Sequence, residues 1–475
     1  MKTRNGISRR TFLGSAAAAV AVARGVSLKA APEAAMRATA APADRQPPAR
    51  ILTLYLAKPI PTWPRPDFQP QDDIRRIRPV LEGFQARPEL AVNFFGHELL
   101  RVPDDLGRVQ PALQEADGLV VFNLTSTVMN MIEPLSDTGL PLVLFSQPYS
   151  GHDWAEGPAL RAKGGLVEVV ASSDFADLET PLRVLAARHR LRQSRVLCIR
   201  PETEHTESSR ALEAKFGAPI RFLPYSRLQS LFAAGDRQAA HSDAAKFLSA
   251  ALKVVEPKPA EVEDAFRLYR AVEKLLAEEN ANAVTIDCLG GFRRGELAAY
   301  PCVAWSKLND RGLHGVCEAD LETTFTQMLF GYYCGKPGFV SDPVIDTRTN
   351  TVIHAHCVSA TRLDGPRGLA APYIVRSHME DNKGVSMQVN MRVGQTITLA
   401  KLADANTLLV SAGRIIATPD LPRGCRTKVT TQVRDAAKML ENYSSGLHRV
   451  LFYGDHLRAA HQMGHLLGLK VVEET

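Results

Sequence analysis

The chain has 475 residues, room for roughly two to four domains at ~100–200 residues each. Its 45% hydrophobic and 23% charged residues are the balance of a globular protein, not of a disordered one. The formal net charge of +6 belongs to the leader: residues 1–50 hold nine Lys/Arg against Glu33 and Asp44, leaving 48 basic and 49 acidic residues in the remainder. A near-neutral body lacks the basic face that nucleic-acid binding requires, so no nucleic-acid partner is expected.

Ser8-Arg9-Arg10-Thr11-Phe12-Leu13-Gly14 precedes a run of small and apolar residues, Ser15 to Ala23. A basic segment, a short apolar run and then small residues is the layout of an export signal. The paired arginines resemble the twin-arginine (Tat) signal. The apolar run of about twelve residues is short of the ~20 that a membrane-spanning helix needs, and no other stretch approaches that length, so no stable membrane span is expected. The expectation is a precursor carried by the Tat export machinery, processed after Ala23 or Ala40, and periplasmic or otherwise exported. The Ala/Pro-rich stretch to Pro48 reads as a linker. Residues 1–50 are thus assigned to signal and linker.

Four apolar runs follow, Ile51–Leu56, Ala91–Phe95, Gly118–Phe122 and Pro141–Phe145, separated by helical patterns such as Asp72–Glu82 and Asp104–Glu115. Buried strands alternating with helices predict a parallel sheet covered on both faces, assigned to 51–175. No Gly-x-Gly-x-x-Gly follows the first strand, which argues against a dinucleotide site. Asn123-Leu124-Thr125-Ser126 and Ser146-Gln147-Pro148-Tyr149 fall at the edge where ligands of such sheets bind, though loops there are polar in any case. A second α/β unit over 176–334 contains strands at Arg195–Ile199, Pro219–Leu223, Ala283–Leu289 and Leu313–Cys317, and helices at Ala260–Glu278 and Ala319–Cys334. From 335 to 475, short β-branched segments between turns predict a mostly antiparallel β-rich domain. The expected fold class is α/β, with two Rossmann-like doubly wound domains followed by a β-rich C-terminal domain.

The seven cysteines, Cys198, Cys288, Cys302, Cys317, Cys334, Cys357 and Cys425, form no Cys-x-x-Cys and no zinc-finger spacing, and read mostly as buried small hydrophobes.

Chemistry is concentrated after residue 316. Val316-Cys317-Glu318-Ala319-Asp320 has a carboxylate between a strand and a helix, at the edge where α/β sites form, although a first-turn acid is also favoured there by the helix dipole. Val340-Ser341-Asp342-Pro343 has a second acid, taken as the end of the next strand and hence on the same rim. Paired acids suit a divalent cation or proton shuttling between neighbouring carbons. His448 opens a strand near the chain end. Asp287 reads as a strand-end acid with a structural role, and His378 and Glu380 as alternating residues on a solvated face.

Cys317-Glu318-Ala319-Asp320-Leu321, Gly335-Lys336-Pro337, Ser341-Asp342, His354-Ala355-His356-Cys357 and Gly446-Leu447-His448-Arg449 through Asp455 together resemble the L-fucose/L-arabinose isomerase superfamily, in its poorly assigned branch. The resemblance is clearest over 287–475. It implies aldose–ketose isomerisation through a cis-enediol, with Mn2+ or another divalent cation as cofactor. By it, Glu318 and Asp342 are catalytic acid/base carboxylates and metal ligands, His448 completes the metal site, and His356 contacts the sugar substrate. A homo-oligomer is expected. An export signal and a shorter chain depart from the pattern of the cytosolic members. A periplasmic sugar-binding protein or a catalytically inactive homologue are the alternatives.

Overall fold

A computed structural model describes residues 46–475. The export signal, its cleavage point and most of the linker expected from the sequence lie outside the described residues.

The first sheet is parallel. Its strands are β1 (Ala49–Leu56), β2 (Val92–Leu100), β3 (Gly118–Asn123), β4 (Leu142–Ser146) and β5 (Val167–Ala171), in the order β2-β1-β3-β4-β5. Successive side chains of a strand face opposite sides. Here Ile51, Tyr55, Val120, Phe122 and Phe145 enter one core, while Leu52, Leu54, Val121 and Leu144 enter another. Helices Pro70–Gln85 and Glu179–Arg192 cover the first face, and Leu106–Gln114 and Met129–Ser136 the second. With both faces dry, polar alternation disappears and the runs read as continuously apolar. β5 adds to the four strands expected. Glu168 interrupts its apolar pattern, yet is buried and bonded to Gln462 at 3.1 Å and His465 at 2.6 Å.

The second sheet is also parallel. It uses β6 (Val196–Ile199), β7 (Ile220–Leu223), β9 (Ala283–Ile286) and β10 (His314–Cys317), in the order β10-β9-β6-β7, while β8 (Lys253–Val254) lies outside it. Helices Pro259–Glu278 and Leu321–Cys334 contribute to different cores, and the strand residues alternate between those cores in the same way. β9 is shorter than expected. Asp287 caps the helix Cys288–Arg293, accepting from Gly290 N at 3.0 Å, and so ends the strand.

The C-terminal region is an antiparallel barrel. β11 (Phe339–Asp346), β12 (Thr351–His356), β15 (Thr396–Leu402), β16 (Thr407–Ala417), β17 (Thr427–Val433) and β18 (Arg449–Tyr453) follow the cycle β15-β18-β11-β12-β17-β16, which the β15–β16 pairing closes. Phe339, Val352, Leu399, Ile415, Val429 and Leu451 fill it. Closure removes the free edges that such a sheet would otherwise expose. β19 (Lys470–Glu473) runs parallel to β16 on the outside. β13 (Tyr373–Arg376) and β14 (Ser386–Val389) leave the barrel and pair with each other, and β13 also pairs with β8. Among the described residues, no helix is long and apolar enough to cross a membrane.

Candidate metal centre

Helix Leu321–Cys334 connects the second sheet to the barrel. Its Phe325, Met328 and Leu329 share a core with Val340, Leu402, Val450 and Phe452. This packing sets the carboxyl end of β10 against β11, β12 and β18, and the candidate residues meet there.

Glu318 follows β10 directly. It and Ala319 have φ of +65° and +54°, left-handed values that neither side chain favours. Strain of this kind costs about 1–3 kcal/mol per residue and tends to be retained at functional sites. The turn is held by Ala319 N donating to Ile286 O at 3.0 Å, and it ends at Asp320, the N-cap of the connecting helix. Asp320 accepts from Thr323 N at 2.8 Å and from the Thr323 hydroxyl at 2.6 Å.

Asp342 lies within β11, not at its end as the sequence suggested. The expected geometry, two strand ends on one parallel rim, is therefore incorrect: β11 belongs to the barrel. Asp342 still faces the second sheet, because the two-residue repeat puts it on the same face as Val340, which packs into the shared core. His356 ends β12, and His448 directly precedes β18. β11 pairs with both strands, with Asp342 opposite Ala355 and Ser341 opposite Arg449. Three neighbouring barrel strands thus supply Asp342, His356 and His448, and the second sheet supplies Glu318.

His448 Nε2 is 3.7 Å from Glu318 Oε2 and 3.6 Å from Asp342 Oδ1, and His356 Nε2 is 4.0 Å from Glu318 Oε1. Glu318, His356 and His448 each offer one ligand atom within 4.8 Å of the others, with Asp342 beside the trio. The His448 side chain is 5% exposed, whereas Glu318 at 40% opens the site to solvent. His448 Nε2 and His356 Nδ1 are buried and have no hydrogen-bond partner.

The other nitrogen of His448 is fully engaged. Nδ1 donates to Asp320 Oδ2 at 2.9 Å, and the buried Lys401 ammonium reaches the same carboxylate at 2.8 and 3.0 Å. Burial alone would raise Asp320, but the His448 and Lys401 contacts outweigh it and hold the carboxyl well below the usual range. Burial would lower His448; the Asp320 bond and the nearby Glu318 and Asp342 carboxylates raise it instead. His356 is pushed down to about 3 by burial, so its imidazole is neutral. Burial pushes Asp342 up to about 6, a shift that the His448 charge opposes and Glu318 reinforces.

A second layer secures the loop that carries His448. Arg449 donates to the carbonyls of His448 at 2.9 Å and Ser444 at 3.0 Å, and pairs with Glu474 at 2.7 Å, both side chains being fully buried.

The remaining sequence candidates are structural. Asp287 pairs with Arg294 at 3.0 Å. His378 does not lie on a solvated face: it is buried and stacked on Tyr300 at 4.6 Å, while Glu380 is exposed. All seven cysteines are free, and five of them are buried. Asp320 carries no role in the sequence expectation. Its signal was available, an Asp just before a helix that would be an N-cap in any case.

No protein-family model matches the chain, and neither does any curated protein.

Proposed function

We propose that Glu318, His356 and His448 hold one divalent cation, and that the site interconverts an aldose and a ketose. The observation that carries the reading is the convergence of His448 Nε2, buried and without a hydrogen-bond partner, and His356 Nε2 on the Glu318 carboxylate, at 3.7 and 4.0 Å. Buried polar atoms are nearly always satisfied, so an orphaned His448 Nε2 facing two carboxylates points to a missing partner. One oxygen and two imidazole donors suit a borderline cation, and the family resemblance favours Mn2+. When bound, such an ion supplies stabilisation for negative charge developing on the sugar oxygens.

The chain's own groups divide the remaining work. Asp320 fixes the His448 tautomer, directing Nε2 toward Glu318 and Asp342. Neutral His356 is ready to bind without losing a proton. Asp342, outside the trio and with a carboxyl near neutral pKa, is the group left to carry the proton between C1 and C2. This revises the sequence expectation, in which Asp342 was also a ligand and His356 only touched substrate.

The test is incubation with a panel of aldoses and ketoses and added Mn2+ in D2O. Deuterium entering C1 or C2, lost in Asp342→Asn, is the expected result. No incorporation with any sugar would remove the isomerase reading. We further read the two parallel sheets as separate Rossmann-like domains, and Arg9-Arg10 as a Tat signal. Replacing both arginines by lysine should retain the precursor in the cytoplasm; unchanged export would refute the signal.

A further inference from the structure

We propose that the first sheet carries a second binding site, independent of the metal centre and of the isomerase reading, which takes a neutral saccharide. A cavity of about 550 Å³ opens at the carboxyl edge of β4 and β5, within the span of small-molecule sites, about 300–1,000 Å³. Its lining comes only from residues 63–173, so no candidate metal ligand takes part.

The lining is of two kinds. Trp63, Tyr149, His152 and Trp154 supply rings, while Ser146 and Gln147 are among the neutral hydrogen-bonding groups. None of the lining residues is Asp, Glu, Lys or Arg. Three of the rings are well exposed, Trp63 at 39%, Trp154 at 45% and Tyr149 at 78%. Large aromatics gathered around one cavity are unusual on a surface with nothing to bind.

The walls are also preformed. Tyr149 is held at φ +70°, a strained value for a residue with a side chain. Gly151 has φ +150°, and a Cβ there would lie 2.8 Å from Ser126 Cα, so only glycine lets the two loops touch. Buried Asp153 accepts from Thr127 N and Val128 N, both at 2.9 Å. Gln147 Oε1 accepts from Arg76 at 2.7 Å. A rigid site loses little free energy to ordering when it binds.

Chemistry then selects the ligand class. A charged ligand would meet no Asp, Glu, Lys or Arg in the lining. A wholly apolar one would desolvate the serine hydroxyls and the Gln147 amide without offering them a hydrogen bond. A sugar ring has C–H faces that stack on aromatic rings and a rim of hydroxyls that both donate and accept, which matches the two kinds of lining.

The chain has three tryptophans, and the third, Trp305, is fully buried in the helix Cys302–Asp310. A change in tryptophan emission on adding ligand therefore reports mainly on Trp63 and Trp154 in this cavity. The full chain, kept in chelator, is titrated with neutral mono- and disaccharides and, in parallel, with nucleosides. A saturable emission change with at least one saccharide is expected, together with a loss of affinity of at least about tenfold in Tyr149→Ala and Trp63→Ala, read by calorimetry. Tyr149 is exposed, so that variant should fold as the parent does, which circular dichroism checks. No saturable change up to about 10 mM, a response to nucleosides alone, or saccharide binding unaltered in both variants would each overturn the proposal. Because chelator is present and no turnover is read, failure here is separate from failure of the isomerase reading.

Discussion

Asp320 Oδ2 and His448 Nδ1 lie 2.9 Å apart although 128 positions separate them in the chain. One residue caps a helix leaving the second sheet, and the other opens a barrel strand. Their bond couples the two halves of the candidate centre and leaves Nε2 as the nitrogen of His448 that is available to an ion. Asp320→Asn keeps the shape but removes the charge that orients His448 and neutralises Lys401. Mn2+ affinity should fall about 10–100-fold, as is usual when a ligand's supporting carboxylate is changed. Equilibrium titration measures it; unchanged affinity would show that Asp320 serves only the helix.

Arg449 and Glu474 form a fully buried ion pair beneath the His448 loop. Removing one partner of such a pair leaves an uncompensated charge and typically costs about 3–5 kcal/mol. Glu474→Ala should therefore lower stability in urea unfolding by about that amount. Arg449→Met combined with Glu474→Leu should recover much of the loss, yet still weaken metal binding, because the carbonyls of Ser444 and His448 lose their donor. A stability change below about 1 kcal/mol for Glu474→Ala would contradict the structural role given to the pair.

Burial pushes His314 down to about 3, and neither ring nitrogen has a partner. The unfolded chain carries an ordinary imidazole near ~6.5. Between these values the unfolded state binds a proton that the folded state refuses. The contribution of His314 to stability is thus complete above about pH 6.5 and falls by ~1.4 kcal/mol per pH unit as pH drops toward 3. His314→Leu should flatten the pH dependence of unfolding free energy between about pH 6 and 4 by one proton's worth. An unaltered slope would mean that His314 is protonated in the folded chain.

How much was legible in the sequence differs by element. Ile51–Leu56 could be read because a strand covered on both faces has an unmistakable apolar run. β5 could not, because Glu168 breaks its run and its partners Gln462 and His465 are distant in sequence. Glu318 was singled out by its position after a strand, whereas His448, noted only as opening a strand, took its role from the family resemblance. Asp342 was singled out for a strand-end position that it does not have; it reaches the centre because the barrel places β11 beside β18. The pairing of Lys253–Val254 with β13 likewise depends on contacts across more than a hundred residues, which no local pattern encodes.

Mn2+ binding to the metal-depleted full chain, followed by the electron paramagnetic resonance of the free ion, is the decisive measurement. One ion per chain is expected. His356→Ala and His448→Ala should each weaken binding by at least about tenfold, and Asp342→Asn should change it little. A wild-type chain that binds no ion, or affinity that survives unchanged in both histidine variants, would contradict a centre built on Glu318, His356 and His448.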